Sequence, residues 1–365
     1  MAVDSAAMQA RSLAPLAVLT FAFACGDATP PSVTPTPSVT PSASTAPVAS
    51  ATSSAPPAAS SAPIKPPPPP PAAELQIASL KAAADAINQH DSKKYVALFT
   101  RTAIHKEAAT RDLTGRDEIA RRMELLFNAF PDFKFSFDRV WQKGDIVAAT
   151  WRWTGTDRGP GFMGKRASGK RAGLQGLTVG FYNIDGLIRE VHVYEDGQNV
   201  LAQLDPAAKA GSFRAPPADS TAAMEVTPAG SDEDKNTAAV RAFYDSLEAK
   251  KEAETAAAFS DDATVDDFAL PPKPGKGPAA WKATLKSWTG NFGAFTELPL
   301  YNLMAVGDTV IVERVLRGTV APGAQVTLHA ADVVRLEAGK IVQLGTYSNT
   351  LELVSQVGTK GLRRP

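Results

Sequence analysis

Apolar positions recur at near-helical spacing from Leu75 through Leu80, Ala83, Ala84 and Ile87, up to His90-Asp91, and this spacing predicts an amphipathic helix. A shorter helix is expected through Tyr95 to Phe99. Thr114-Gly115-Arg116-Asp117 then reads as the start of a third, with Ile119, Met123, Leu126 and Phe127 on one face and Pro131 stopping it. Beyond Pro131 the period changes from helical to two. Phe133, Phe135 and Phe137 alternate with polar residues, and strands are predicted at Val147 to Trp153, Gly173 to Phe181 and Ile188 to Tyr194. The same order returns later in the chain. Val240, Phe243, Tyr244 and Leu247 mark a helix, and strands are predicted at Leu298-Leu300, Val310-Leu316, Val326-Leu336 and Ile341-Tyr347. Helices first and strands after, twice over, predict two α+β domains with helices packed on one face of a curved antiparallel sheet.

The repeat can be aligned through its turns. Gly144-Asp145, Gly155-Thr156 and Asp185-Gly186 of the first copy correspond to Gly307-Asp308, Gly318-Thr319 and Ala338-Gly339 of the second. From the last turn glycine onward no gap is needed, so Tyr194 faces Tyr347, Asp196 faces Asn349 and His192 faces Gly345. Asparagine keeps the shape of aspartate but does not exchange a proton near neutral pH. Any acid/base chemistry is therefore expected in the first copy. The first copy's hairpin, Gly155 to Gly186, is ten residues longer than Gly318 to Gly339, a second sign that the copies differ in use.

Composition adds a layout to this pattern. The 365 residues carry 38 basic and 38 acidic side chains with no long block of either sign, which argues against nucleic acid as a partner. Cys25 is the only cysteine, excluding an intramolecular disulfide and a Cys-based zinc site. Arg11, the apolar run Leu13 to Ala24, and Ala22-Phe23-Ala24-Cys25-Gly26 have the layout of a short secretory signal. The segment resembles a bacterial lipoprotein signal with a lipobox, which implies a lipid-anchored Cys25 and a place on the membrane of the cell envelope. The expected divisions are a signal at 1–25, a Pro/Ala/Ser/Thr-rich tether at 26–72, domains at 73–205 and 232–358 joined by a linker at 206–231, and a tail at 359–365. The tether, with six consecutive prolines at its end, would reach roughly 140 Å at about 3.1 Å per residue.

Asn128-Ala129-Phe130-Pro131-Asp132-Phe133, Trp151-Arg152-Trp153-Thr154-Gly155-Thr156, Ser168-Gly169-Lys170-Arg171, Glu190 to Asp196, and Val200-Leu201-Ala202-Gln203-Leu204 form an ordered series. This series resembles the SnoaL-like, or ester cyclase, branch of the NTF2-like superfamily, specifically over Leu75 to Asp205 and more weakly in the second copy. The resemblance implies two cone-shaped α+β barrels, each with an apolar pocket. It also implies cyclase-like acid/base chemistry on a carbonyl compound without metal, Schiff base or organic cofactor. Asp196 matches the family's proton-transfer aspartate and His105 a histidine after the second helix, while Asp266 is the similar position in the second copy. Because NTF2-like domains commonly pair through their sheets, the two copies are expected to form an intramolecular pseudo-dimer.

The candidate site is therefore Asp196 with His105 and His192, since enolising a carbonyl needs a base near the acidic carbon and a donor for the developing oxyanion. Alternation places Glu190, His192, Tyr194 and Asp196 on one face of the last strand, a face expected to look into the pocket. Other roles stay open: Asp196 as the cap of the following helix, His105 as a structural residue, Trp151 and Trp153 as core. At the level of the whole protein the alternative is a non-catalytic ligand-binding or assembly module of the same fold.

Overall fold

The computed structural model describes residues 72–357 apart from 161, 210, 221–222, 272–274, 293–296 and 321–322. The expected signal, Cys25 and nearly all of the tether lie outside the described residues, as do 358–365.

The first lobe runs α1 (Ala72–Asn88), α2 (Ser92–Ala97), β1 (Phe99–Glu107), β2 (Leu113–Thr114), α3 (Arg116–Ala129), β3 (Lys134–Lys143), β4 (Ile146–Thr156), β5 (Arg171–Tyr182), β6 (Ile188–Tyr194) and α4 (Gly197–Leu204), with β7 (Glu225–Val226) added later. Of the predicted face of α1, Leu80, Ala83 and Ile87 are buried and Leu75 and Ala84 half-buried, with Ala86 buried beside them. The Asp91 side chain accepts from the Lys94 amide at 2.9 Å and caps α2. The sheet order is β2-β1-β6-β5-β4-β3-β7, open at both ends. It is mixed and not wholly antiparallel, because β1 pairs parallel with β6.

Strand β1 corrects one expectation. The chain leaves the helical pattern at Phe99, and Thr100, Thr102 and Ile104 are β-branched residues that suit a strand next to β6. His105 consequently lies within a strand and not in a helix-to-loop segment.

The second lobe repeats the design with α5 (Glu233–Glu248), α6 (Glu252–Ala257), β8 (Phe259–Asp267), α7 (Gly277–Phe292), β9 (Leu300–Val306), β10 (Thr309–Val320), β11 (Ala324–Glu337), β12 (Lys340–Ser348) and α8 (Thr350–Val357). Its open sheet has the order β9-β10-β11-β12-β8, again with one parallel pair, β12 to β8.

Central strands of both sheets are buried on both faces, β4 and β10 most completely. One face of each sheet meets its own helices. From the other, Trp141, Ala148, Leu177, Val179 and Tyr194 join Met304, Val306, Ile311, Ala331, Val333 and Tyr347 in one apolar cluster. Two half-apolar sheets thus cover each other, which is the ordinary reason for sheets to stack. The 206–231 segment adds polar ties. Arg214 donates its amide to Asn199 Oδ1 at 2.8 Å and forms an ion pair with Asp266, while Asp219 pairs with Arg171 at 2.6 Å.

Candidate functional site

Between α1, α3 and the concave side of the first sheet lies a cavity of about 110 Å³, well above the roughly 10–15 Å³ that one water needs. Leu80 and Ile87 of α1, Met123 and Leu126 of α3, and an aromatic wall of Phe133, Phe135, Phe137, Trp151 and Trp153 make it predominantly apolar. Trp151 lies flat against the sheet because its cross-strand partner is Gly176, where a Cβ would come within 2.3 Å of the indole. The indole N–H donates to Thr178 Oγ1 at 2.7 Å, so its polar atom is satisfied inside the apolar wall.

Four ionisable residues gather at one end: His105 and Glu107 from β1, Arg122 from α3, and Glu195 just after β6. Arg122 grips Glu107 with N–O distances of 3.1 to 3.3 Å, and its Nη2 stands 3.7 Å from Glu195 Oε1. The Glu107 and Glu195 side chains are only 9% and 15% exposed. Burial, helped by the negative charge of Glu107 and opposed by Arg122, pushes the Glu195 carboxyl up to about 8. Burial likewise lowers His105 to about 4, against the pull of Glu107, and its Nδ1 is buried without a hydrogen-bond partner. At neutral pH the end of the cavity therefore offers a protonated carboxyl on Glu195 and a neutral imidazole on His105, beside the Glu107 side chain held by Arg122. Such a set can give and take protons at the end of a mostly apolar cavity. Among the described residues, no group of three or more His, Cys, Asp or Glu is arranged to hold a metal ion.

Of the three residues selected from sequence, the structure brings only His105 to this cavity. Alternation along β6 is real but has the opposite sense from that expected. Val191, Val193 and Glu195 line the cavity, whereas His192 and Tyr194 turn toward the second lobe. His192 bonds Glu313 at 2.6 Å and Glu190 at 2.8 Å, and the Tyr194 hydroxyl donates to Glu313 at 2.6 Å. A second, more polar cleft of about 360 Å³ lies beside these residues, with Tyr301, His329 and Glu352 of the second lobe on its wall.

Asp196 is buried but does not line the cavity. It occupies the N-cap position of α4 without a capping bond to that helix. Its Oδ1 instead accepts from the Thr350 amide at 2.9 Å and the Thr350 hydroxyl at 2.8 Å, capping α8 of the second lobe. Burial pushes its carboxyl up to about 7, although the Thr350 hydrogen bonds work against this.

Glu195, Glu107 and Arg122 were passed over at the sequence level, and each left a trace. Ligand cavities are mostly apolar, so the face bearing Val191 and Val193 was the one to follow, and Glu195 is its charged exception. Arg122 stands three residues after Ile119 and four before Leu126, on the buried side of its helix by spacing.

The second lobe places different side chains at the corresponding positions. Its strand registers align Trp151 with Arg314, Thr178 with Asp332 and Glu107 with Asp267. They also align His105 with Val265, so Asp266 is not its counterpart; Asp266 pairs with Arg214. Arg314 and Asp332 form a fully buried ion pair, with Tyr244 and Thr346 also donating to Asp332 and Trp288 stacked 5.0 Å from the guanidinium. Losing one partner of such a pair costs about 3–5 kcal/mol.

Comparison with known proteins matches residues 78–204 to the SnoaL-like polyketide cyclase family and residues 240–344 to the SnoaL-like domain family. Solved structures with a similar chain course include a candidate SnoaL-like polyketide cyclase from Jannaschia sp. CCS1, at 19% identity over 38% of this chain and 96% of that one, with a TM-score of 0.35. IdmH, a candidate polyketide cyclase from Streptomyces antibioticus, is 22% identical over 35% of this chain and 97% of its own, with a TM-score of 0.32. An NTF2-like protein of unknown function from Burkholderia pseudomallei K96243 is 20% identical over 33% and 95%, with a TM-score of 0.30. The search of curated proteins gives no match.

Proposed function

This chain carries two SnoaL-like domains in tandem, and from that premise we propose that the first binds a small apolar carbonyl compound and moves a proton on it without a cofactor. The observation that carries this is the placement of Glu195, Glu107, Arg122 and His105 together at the end of an otherwise apolar cavity. A carbonyl oxygen directed at that end meets the Glu195 proton, retained at neutral pH by a carboxyl pushed up to about 8. The Glu107 carboxylate, in contact with Glu195 and oriented by Arg122, takes a proton from the adjacent carbon. The product is the enol, and return of a proton at a different atom completes an isomerisation or sets up ring closure. His105, kept neutral by burial, donates or accepts one further hydrogen bond to the bound oxygen through its unpartnered Nδ1.

The test uses the wild type and Glu195→Gln with a panel of small apolar carbonyl compounds, reading thermal stabilisation and product formation. Stabilisation of both forms with conversion only by the wild type is the expected result. Equal conversion by both overturns the role of Glu195. Stabilisation without conversion makes the domain a ligand-binding module for those compounds. The signal-like segment before Cys25 supports a lipid anchor for the same protein. Cys25→Ser then moves it to the soluble fraction, and unchanged membrane association rules the anchor out.

A further inference from the structure

The two carboxyl-bearing residues of the cavity are each followed in the chain by a residue that the second lobe holds. Ala108, after Glu107, accepts at its carbonyl oxygen from Asn349 Nδ2 at 2.8 Å. Asp196, after Glu195, accepts from the amide and hydroxyl of Thr350. Asn349 and Thr350 are consecutive and stand at the N-terminus of α8. One dipeptide of the second lobe therefore ties together the ends of β1 and β6, the neighbouring parallel strands that deliver Glu107 and Glu195.

The tie is closely packed on the α4 side, while Ala108, Ala109 and Thr110 border the polar cleft of about 360 Å³ on the other. Helices α4 and α8 approach so closely that a Cβ on Gly197 would come within 2.7 Å of Leu351 Cδ1. On the other strand Ala109 has φ of 74°, a left-handed conformation that costs a non-glycine residue energy and persists only where the surroundings impose it. It lies between the gripped Ala108 carbonyl and Thr110, whose amide and hydroxyl bond back to the Glu107 carbonyl at 3.2 and 2.9 Å.

We propose that Asn349 and Thr350 are positioning residues for the cavity of the first lobe: the second lobe lends it no lining side chain but fixes the spacing of Glu107 and Glu195 by gripping Ala108 and Asp196. This rests on the cavity being the site proposed above. It gives the second lobe a use, and gives the Asp-to-Asn difference between the copies a reason. Asn349 needs its side-chain N–H₂ to reach Ala108, and an aspartate there could not donate. In proton transfer a displacement of about 1 Å can cost on the order of 100-fold in rate, so a grip one residue from each carboxyl bears directly on their function.

The test reads the carboxyl itself and needs no ligand. Full-length protein labelled with ¹³C at the glutamate side chains is titrated by NMR, with Glu195 identified from Glu195→Gln. Wild type is compared with Asn349→Ala, Thr350→Pro and Thr350→Ser. Proline suits the first helical position yet lacks both donors; serine keeps both. The groups facing Glu195 are Glu107 and His105 from β1, Arg122 from α3 and Trp153 from β4. Loosening the grip admits water and lets Glu107 move away, which weakens both causes of its raised value. The titration midpoint of Glu195 is expected to fall by about one pH unit or more in Asn349→Ala and in Thr350→Pro, with Thr350→Ser like the wild type. An unchanged midpoint in both Asn349→Ala and Thr350→Pro overturns the proposal, as does an equal shift in Thr350→Ser. Should Thr350→Pro not fold, Asn349→Ala decides alone. If no carbonyl compound is ever bound, the catalytic proposal fails while this measurement still reports on the grip.

Discussion

Glu195 ties the stability of the first lobe to pH in a direction opposite to that of a salt-bridged carboxylate. Its folded value, about 8, lies above the ordinary glutamate range because it is buried beside Glu107. Between that ordinary range and pH 8 the folded protein holds a proton that the unfolded chain has released, so stability falls as pH rises across the window and levels off above it. Glu195→Gln removes the dependence. Melting temperatures of the variant and the wild type should accordingly move in the variant's favour between pH 5 and pH 9. A constant difference between the two would mean that Glu195 titrates normally. His192 contributes in its own window. Burial opposes its charge, but the hydrogen bond and charge of Glu313 prevail and raise it. Its stabilising pair with Glu313 is fully present below the ordinary histidine value and is lost as pH rises through the raised one.

At the scale of elements, the periodicity was sufficient to locate α1, α3 and strands β3 to β6, because each carries regularly spaced apolar residues and has a turn or proline at its end. It was insufficient for β1. Phe99–Glu107 follows directly on a helix and has charged or polar residues at Arg101, Thr102, His105, Lys106 and Glu107, so local preference says little, and the strand depends on a partner, β6, far away in sequence. The family resemblance pointed to Asp196, which the structure places against Thr350 of the second lobe, while the preceding Glu195 lines the cavity. A strand in a sheet covered on both sides has two buried faces, and a polar residue on either is explained only by what lies opposite. His192 and Tyr194 meet Glu313, a side chain that no periodicity within the first copy can reveal. The copies also diverge at the level of pairs. Trp151 with Thr178 borders a cavity, whereas Arg314 with Asp332 at the aligned positions forms a buried ion pair. Read along one strand, Arg314 looks like a surface charge; only the cross-strand pairing of β10 and β11 brings its counter-ion beneath it.

At the scale of the whole molecule, the contact between the two sheets makes the lobes depend on each other. Trp141, Leu177, Val179 and Tyr194 of the first lobe are at most 3% exposed, and they meet Met304, Ile311 and Val333 rather than helices of their own lobe. Cutting the chain between the lobes would return this apolar face to water, at about 25 cal/mol for each Å² uncovered. The face is built from neighbouring strands, and the second lobe covers it with the corresponding strands. The most economical replacement for the lost lobe is therefore a second copy of the first, which would reproduce between two chains the arrangement that the tandem keeps within one. Residues 72–231 produced alone should sediment as a dimer, and Leu177→Lys combined with Val179→Lys should return the fragment to a monomer with a lower melting temperature. The dimer would also be an imperfect substitute. At the junction each α4 would meet another α4 headed by Asp196, with no Asn349 to reach Ala108 and no Thr350 hydroxyl to cap. Two buried carboxyls, each already pushed up to about 7 by burial, would face each other there, so the fragment dimer should weaken as pH rises from 5 to 8. Sedimentation across that range decides the matter: a stable monomer at every pH, melting as the full chain does, would show that the sheet contact does not support the first lobe.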